Sequence, residues 1–146
     1  MTTVRILLED TGFYRIPLTK LATGHYKFEA KINQYKGSFI LDTGASTSCI
    51  GIDRIDQFSL LNEDSEIKAA GAGAINMETQ MARNNTLSVG KLTLATTDFV
   101  LFDLSHVNEA LDQANEKAID GIIGADVLKK YRAVIDYGRN CFYLKR

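Results

Sequence analysis

Apolar and polar positions alternate with a period of two along much of this chain. Tyr26, Phe28, Ala30 and Ile32 are interleaved with Lys27, Glu29 and Lys31, the pattern of a strand with one buried face. Gln34 to Gly37 reads as a short turn, and Ser38-Phe39-Ile40-Leu41 follows as an apolar run of the kind that makes a buried strand. Upstream, Val4 to Leu8 reads as a strand, Thr11-Gly12 as a turn, and Phe13 to Leu18 as a strand that Pro17 confines to an edge or an end.

Downstream, Cys49-Ile50-Gly51 is a further short strand, and Asp53 to Phe58 fits one helical turn capped by Asp53. Ser65 to Ala70 and Ile75 to Met81 read as strands joined across Gly71-Ala72-Gly73-Ala74. Thr86 to Val89 and Leu92 to Leu94 flank Gly90-Lys91 as a hairpin, and Asp98 to Phe102 is another apolar run. Between Ser105 and Lys117 the period changes. Val107, Ala110, Leu111 and Ala114 take helical spacing, with Ser105 as the cap and Glu109 supporting it. Ile119 to Ile123 is extended, Asp126 to Tyr131 a short helix, and Ala133 to Asp136 and Cys141 to Leu144 are strands around a turn at Tyr137 to Asn140. Many short strands and one or two short helices predict a mainly β fold, a small closed barrel or closed sandwich. No repeat, linker or low-complexity tract divides residues 1–146, so one domain is expected.

Composition narrows the picture. A chain of 146 residues with 45% apolar content can bury a sizeable core. A net charge of -1 gives no broad attraction to nucleic acid or to an anionic membrane. No apolar run approaches the length of a membrane helix, and the N-terminus lacks the pattern of a signal peptide, so a cytoplasmic protein is expected. Two cysteines, Cys49 and Cys141, read as free and partly buried in that compartment. His25 and His106 stand apart, and no Cys/His spacing suggests a metal; no cofactor is expected. Gly71 to Asn76 superficially resembles a phosphate loop but lacks a third glycine and a following Gly-Lys-Ser/Thr, which argues against nucleotide binding.

The candidate chemistry sits at the end of the Phe39-Ile40-Leu41 run, where Asp42-Thr43-Gly44-Ala45-Ser46 begins. A carboxylate just past a buried strand is costly unless it is hydrogen-bonded or shares a proton. By itself an Asp-Thr-Gly after a strand is as often a backbone-bending turn. Here Gly121-Ile122-Ile123-Gly124-Ala125-Asp126-Val127-Leu128 accompanies it. Together, in this order and separation, the two segments resemble the catalytic signature and the second, glycine-ended segment of retropepsin-like aspartic proteases.

That resemblance implies a retropepsin-like barrel and a specific division of labour. Hydrolysis of a peptide without a metal or a covalent nucleophile needs a base for water and an acid for the carbonyl oxygen. Two carboxylates sharing one proton provide both. The chain carries a single Asp-Thr-Gly; Asp103, Asp120, Asp126 and Asp136 lack the following Thr/Ser-Gly. The resemblance therefore implies a homodimer in which Asp42 and its mate meet on a twofold axis. Thr43 matches the threonine that ties the two loops together, Gly44 the glycine that lets backbone approach the acid, and Ala45 and Ser46 positions lining the substrate cleft. Ser46 departs from the acid usual in retroviral members. Gly124 matches the glycine beneath the active loop, with Asp126 making a polar contact or a cap. Gly71, Ala72, Gly73 and Ala74 lie where the family has its substrate-covering flap. The partners implied are a second copy and a protein or peptide substrate, with no nucleic acid and no membrane. Val4 to Leu8 and Phe142 to Leu144 are expected to add to the partner's sheet. A non-catalytic dimeric peptide- or protein-binding module on the same fold is the alternative, and a third reading is a monomer that pairs with another protein or becomes active only when dimerised.

Overall fold

A computed structural model of the chain describes residues 2–71 and 74–146, with backbone alone at 64–71, 74–79 and 95. Its strands are β1 (Phe13–Pro17), β2 (Thr19–Lys20), β3 (Tyr26–Ile32), β4 (Tyr35–Leu41), β5 (Cys49–Gly51), β6 (Asn62–Gly71), β7 (Ala74–Val89), β8 (Leu92–Phe102), β9 (Gly121–Ile123), β10 (Val134–Asp136) and β11 (Cys141–Lys145). Three helices accompany them: α1 (Val4–Asp10), α2 (Ser105–Gln113) and α3 (Ala125–Lys130).

Eight strands form one sheet in the order β2-β3-β4-β9-β5-β8-β7-β6, and β3 also pairs with β7. That extra pairing, Lys31 with Ser88 and Ile32 with Leu87, closes β3-β4-β9-β5-β8-β7 into a barrel. Two pairings in the ring are parallel, β4 with β9 and β5 with β8. Parallel strands tend to be buried on both faces, and this is so here. On β4, Phe39 belongs to the larger core cluster and Ile40 to the smaller; Ile123 and Ile122 divide likewise on β9, and Ile50 and Cys49 on β5. The unbroken apolar runs in the sequence are thus strands lying between two cores. The smaller core includes Leu111, the buried residue of α2.

Strand β3 shows the opposite pattern. Phe28, Ala30 and Ile32 are buried in the larger core while Glu29 and Lys31 face solvent. It joins β4 through Asn33 and Gln34, both at positive φ (52° and 73°), as a two-residue hairpin turn requires. The turn is therefore two residues long and β4 starts at Tyr35, earlier than the expected turn over Gln34 to Gly37 allows. Gly37 lies inside the strand because a Cβ there would come within 2.6 Å of the Phe58 ring.

The chain termini depart from expectation. Val4 to Leu8 is helical, not extended: the Thr3 hydroxyl accepts from the Ile6 N–H at 3.1 Å, and Arg5 pairs with Glu9 one turn on. Strand β11 is the centre of a second, three-stranded sheet, β1-β11-β10, so Phe142 to Leu144 offers no free edge to a partner. Those three residues are buried, with Phe142 and Leu144 in the larger core beside Ile16. Two helix ends also shift. Helix α2 stops at Gln113 rather than Lys117, and its cap is Leu104; Ser105 is instead the first helical residue, donating its N–H to the Asp103 carboxylate at 2.9 Å. The expected turn at Asp53 is a 3-10 turn over Ile52–Arg54 with no side-chain cap.

Candidate active site

Strand β4 delivers Asp42 to the point where the barrel wall opens into a loop. The half-buried Asp42 donates its N–H to the Ile123 carbonyl at 3.0 Å, continuing the β4–β9 pairing by one step. Its Oδ1 accepts the Gly44 N–H at 2.9 Å, so the loop turns back on its own carboxylate. A Cβ on Gly44 would stand 3.3 Å from that oxygen. Thr43, Gly44 and Ser46 are exposed, and Ala45 is half-buried.

The segment Ile123 to Asp126 lies directly against this loop. Ala45 O accepts the Ala125 N–H at 2.7 Å. A Cβ on Gly124 would meet Ala45 O at 2.4 Å, so the two backbones approach as closely as only glycine allows. Below them, Ser48 is fully buried. Its hydroxyl donates to Asp126 Oδ1 at 2.6 Å and accepts the Gly124 N–H at 2.9 Å. Its backbone N–H donates to both Asp126 oxygens at 3.0 Å, and the Val127 N–H reaches Oδ1 at 2.8 Å. The second motif points to Asp126 as a polar contact, whereas Ser48 belongs to neither motif. Its only local signal is a small polar residue at the entrance to an apolar strand.

Asp103, Asp120, Asp126 and Asp136, which lack a following Thr/Ser-Gly, each have a partner within the chain. Asp126, an exposed residue, holds the donors just described. Asp120 accepts the Ser38 N–H and the Arg54 Nε–H, each at 2.8 Å, midway along β4. Asp103 takes the Ser105 N–H, and Asp136 lies 3.5 Å from Arg139. Among the described residues no group of three or more His, Cys, Asp or Glu is placed to hold a metal ion.

Cys49 lies just past the loop on β5, but its thiol is no nucleophile at neutral pH. Burial, with smaller contributions from the charges of Asp126 and Asp42, pushes it up to about 12. Of the expected flap residues, Gly71 and Ala74 pair with each other where β6 meets β7. Ala72 and Gly73 lie outside the described residues.

Comparison with known proteins adds independent observations. Residues 28–127 match the family model described as aspartyl protease. The fold is similar to that of a retropepsin-like aspartic protease from Rickettsia conorii, at 18% identity over 91% of this chain and 89% of that one, with a TM-score of 0.56. It is also similar to the retroviral protease-like domain of Ddi1 from Leishmania major, at 17% identity over 88% and 87% of the two chains, with a TM-score of 0.55. No curated protein matches the chain.

Proposed function

This chain belongs to the aspartyl protease family, and from that premise we propose that it is an aspartic endopeptidase whose active site forms between two identical chains. Residues 1–146 act as one domain in this reading. The substrate is an extended protein or peptide segment, and the dyad is Asp42 with its symmetry mate. Like charges about 3 Å apart do not both ionise, so the pair holds one proton at the working pH. The ionised carboxylate takes a proton from water as its oxygen attacks the scissile carbonyl carbon, and the protonated carboxyl gives its proton to the carbonyl oxygen. The resulting diol then collapses: the carboxyl that took the water's proton gives it to the amine nitrogen, the other carboxylate takes a proton from a diol hydroxyl, and the C–N bond breaks to release amine and carboxylic acid with one proton again on the pair.

The observation that carries this reading is the contrast among the carboxylates. Asp120 and Asp126 are tied to residues distant in sequence, through Ser38 and Arg54 and through Ser48, whereas the Asp42 carboxylate makes only a local bond to the Gly44 N–H and stands half-buried on a loop whose Thr43, Gly44 and Ser46 are exposed. An exposed small-residue loop flanking an acid is what a twofold contact at Asp42 would need. Thr43 ties the paired loops together in this proposal. Ala45 and Ser46, with Gly71, Ala72, Gly73 and Ala74 of the β6–β7 hairpin, line the peptide site through their backbones, by strand addition. With α1 helical and β11 central in its sheet, the pairing surface in this reading is the Thr43–Ser46 loop. Cys49 and Cys141 are free and buried, in keeping with a reducing, cytoplasmic setting; no helix among the described residues is long and apolar enough to cross a membrane.

Digestion of a broad peptide library, followed by mass spectrometry, tests the proposal. The wild-type chain should yield internal cuts, and Asp42→Asn should yield none while sedimenting as the same dimer. Cutting that survives in Asp42→Asn refutes the assignment, and an uncut library with wild type would make the chain a binding module.

A further inference from the structure

The loop that carries Asp42 is fastened at both ends and the middle to one short segment. Asp42 N–H meets Ile123 O, Ala45 O meets the Ala125 N–H, and Ser48 meets both Gly124 and Asp126. The last of these fastenings is unlike the others, because it is built from side chains and contains a full charge. The Gly124 N–H donates to the Ser48 hydroxyl, whose O–H in turn donates to Asp126, and Asp126 accepts the Ser48 and Val127 N–H groups as well. Each member is oriented by the next, and hydrogen bonds to a charged acceptor are the stronger kind. Ser48 is fully buried, so water offers its hydroxyl no substitute partner.

We propose that Ser48 and Asp126 are positioning residues for the hydrolytic reaction: together they form a clasp that sets the height and tilt of the Asp42 loop. The inference rests on the proposed function and adds two residues that do not touch the substrate. Its physical basis is that the clasp closes the loop six residues beyond Asp42, while the Asp42 carboxylate itself holds only a local bond to Gly44. Without the clasp, the loop keeps its backbone bonds at Asp42 and Ala45 but gains freedom in its second half. A shared proton between two carboxylates is sensitive to their separation, so small displacements fall on the chemical step.

A positioning role separates from a merely structural one by which kinetic constant moves. Ser48→Ala and Asp126→Ala should each lower kcat about ten- to hundredfold while KM stays within about twofold. Affinity for a statine-type transition-state mimic should fall in parallel with kcat/KM. Hydrogen exchange should quicken at residues 43–48 in both variants, with β3 and β8 unchanged. Ser48→Thr, which keeps the hydroxyl, should restore more of kcat than Ser48→Ala. The inference is overturned if both variants keep wild-type kcat, if the loss appears in KM alone, or if both lose the barrel's circular-dichroism signal, which would make the clasp a folding element. Wild-type and Asp42→Asn chains run alongside: no cutting by wild type removes the proposed function itself, whereas active wild type, silent Asp42→Asn and unaffected clasp variants remove only this inference.

Discussion

Gly124→Ala concentrates the account into one methyl group. Gly124 has φ -112° and ψ -165°, a backbone conformation open to any residue, so no conformational strain arises from the substitution. The obstacle is space. The new Cβ would lie 2.4 Å from Ala45 O, 3.0 Å from Ala45 Cβ and 3.1 Å from Ala45 C. These are backbone atoms and a stub side chain, and none can swing aside. The loop must lift, which stretches the 2.7 Å bond between Ala125 N–H and Ala45 O. Overpacking of this kind costs about 1–3 kcal/mol, and the weakened hydrogen bond adds about 1 kcal/mol. At about 2–4 °C per kcal/mol for a chain of this size, the melting temperature should fall by about 5–15 °C. Gly138→Ala is the matched control, since its Cβ would meet only Asp136 Oδ1 at an ordinary 3.8 Å. Scanning calorimetry at one fixed protein concentration measures both, and the same samples are assayed for peptide cleavage. A Gly124→Ala chain that melts with the wild type and cleaves as fast would refute the claim that the two segments are locked by contact.

Three further outcomes follow from the same geometry. Asp120→Ala removes the acceptor for the Ser38 N–H and the Arg54 guanidinium at a site where the carboxylate side chain is only 15% exposed; stability from urea denaturation should drop by about 2–4 kcal/mol, and an unchanged midpoint would show those bonds to be idle. Phe58→Ala empties a fully buried ring site against Gly37 and Phe39, at a cost of about 3–5 kcal/mol in the same assay, which a loss under about 1 kcal/mol would contradict. The raised Cys49 thiol gives a pH signature: with the ordinary value at 9.0 and the folded value pushed up to about 12, the unfolded chain loses its proton first. The stabilisation is whole below about pH 9 and is lost as pH rises toward 12. Urea midpoints at about pH 8 and about pH 10 should therefore diverge more in wild type than in Cys49→Ala, and equal divergence would count against the burial.

The barrel strands were legible where burial is one-sided or complete. The alternation from Tyr26 to Ile32 and the solid run Phe39-Ile40-Leu41 correspond to a half-buried strand and a doubly covered one. What local pattern could not decide was Val4 to Leu8, because apolar residues at Val4, Leu7 and Leu8 satisfy helical spacing as well as a short strand. The deciding contacts, Thr3 to Ile6 and Arg5 to Glu9, are the capping and one-turn pairings a helix uses. Asp42 and Gly124 stood out through their motifs. Ser48 did not, since its partners Gly124 and Asp126 lie 76 and 78 positions away and the pairing of β9 between β4 and β5 is what brings them under the loop. The edge expected at Phe142 to Leu144 is covered for a related reason: that β11 is flanked on both sides is a property of the three-stranded sheet, not of the strand's own residues.

Active-site titration with a tight-binding transition-state mimic tests the central claim most directly, because it counts working sites per chain. If one chain holds half of the catalytic pair, cleavage should extinguish at one inhibitor molecule for every two chains. Extinction at one inhibitor per chain would mean that a single copy is complete, and the paired Asp42 account would be wrong.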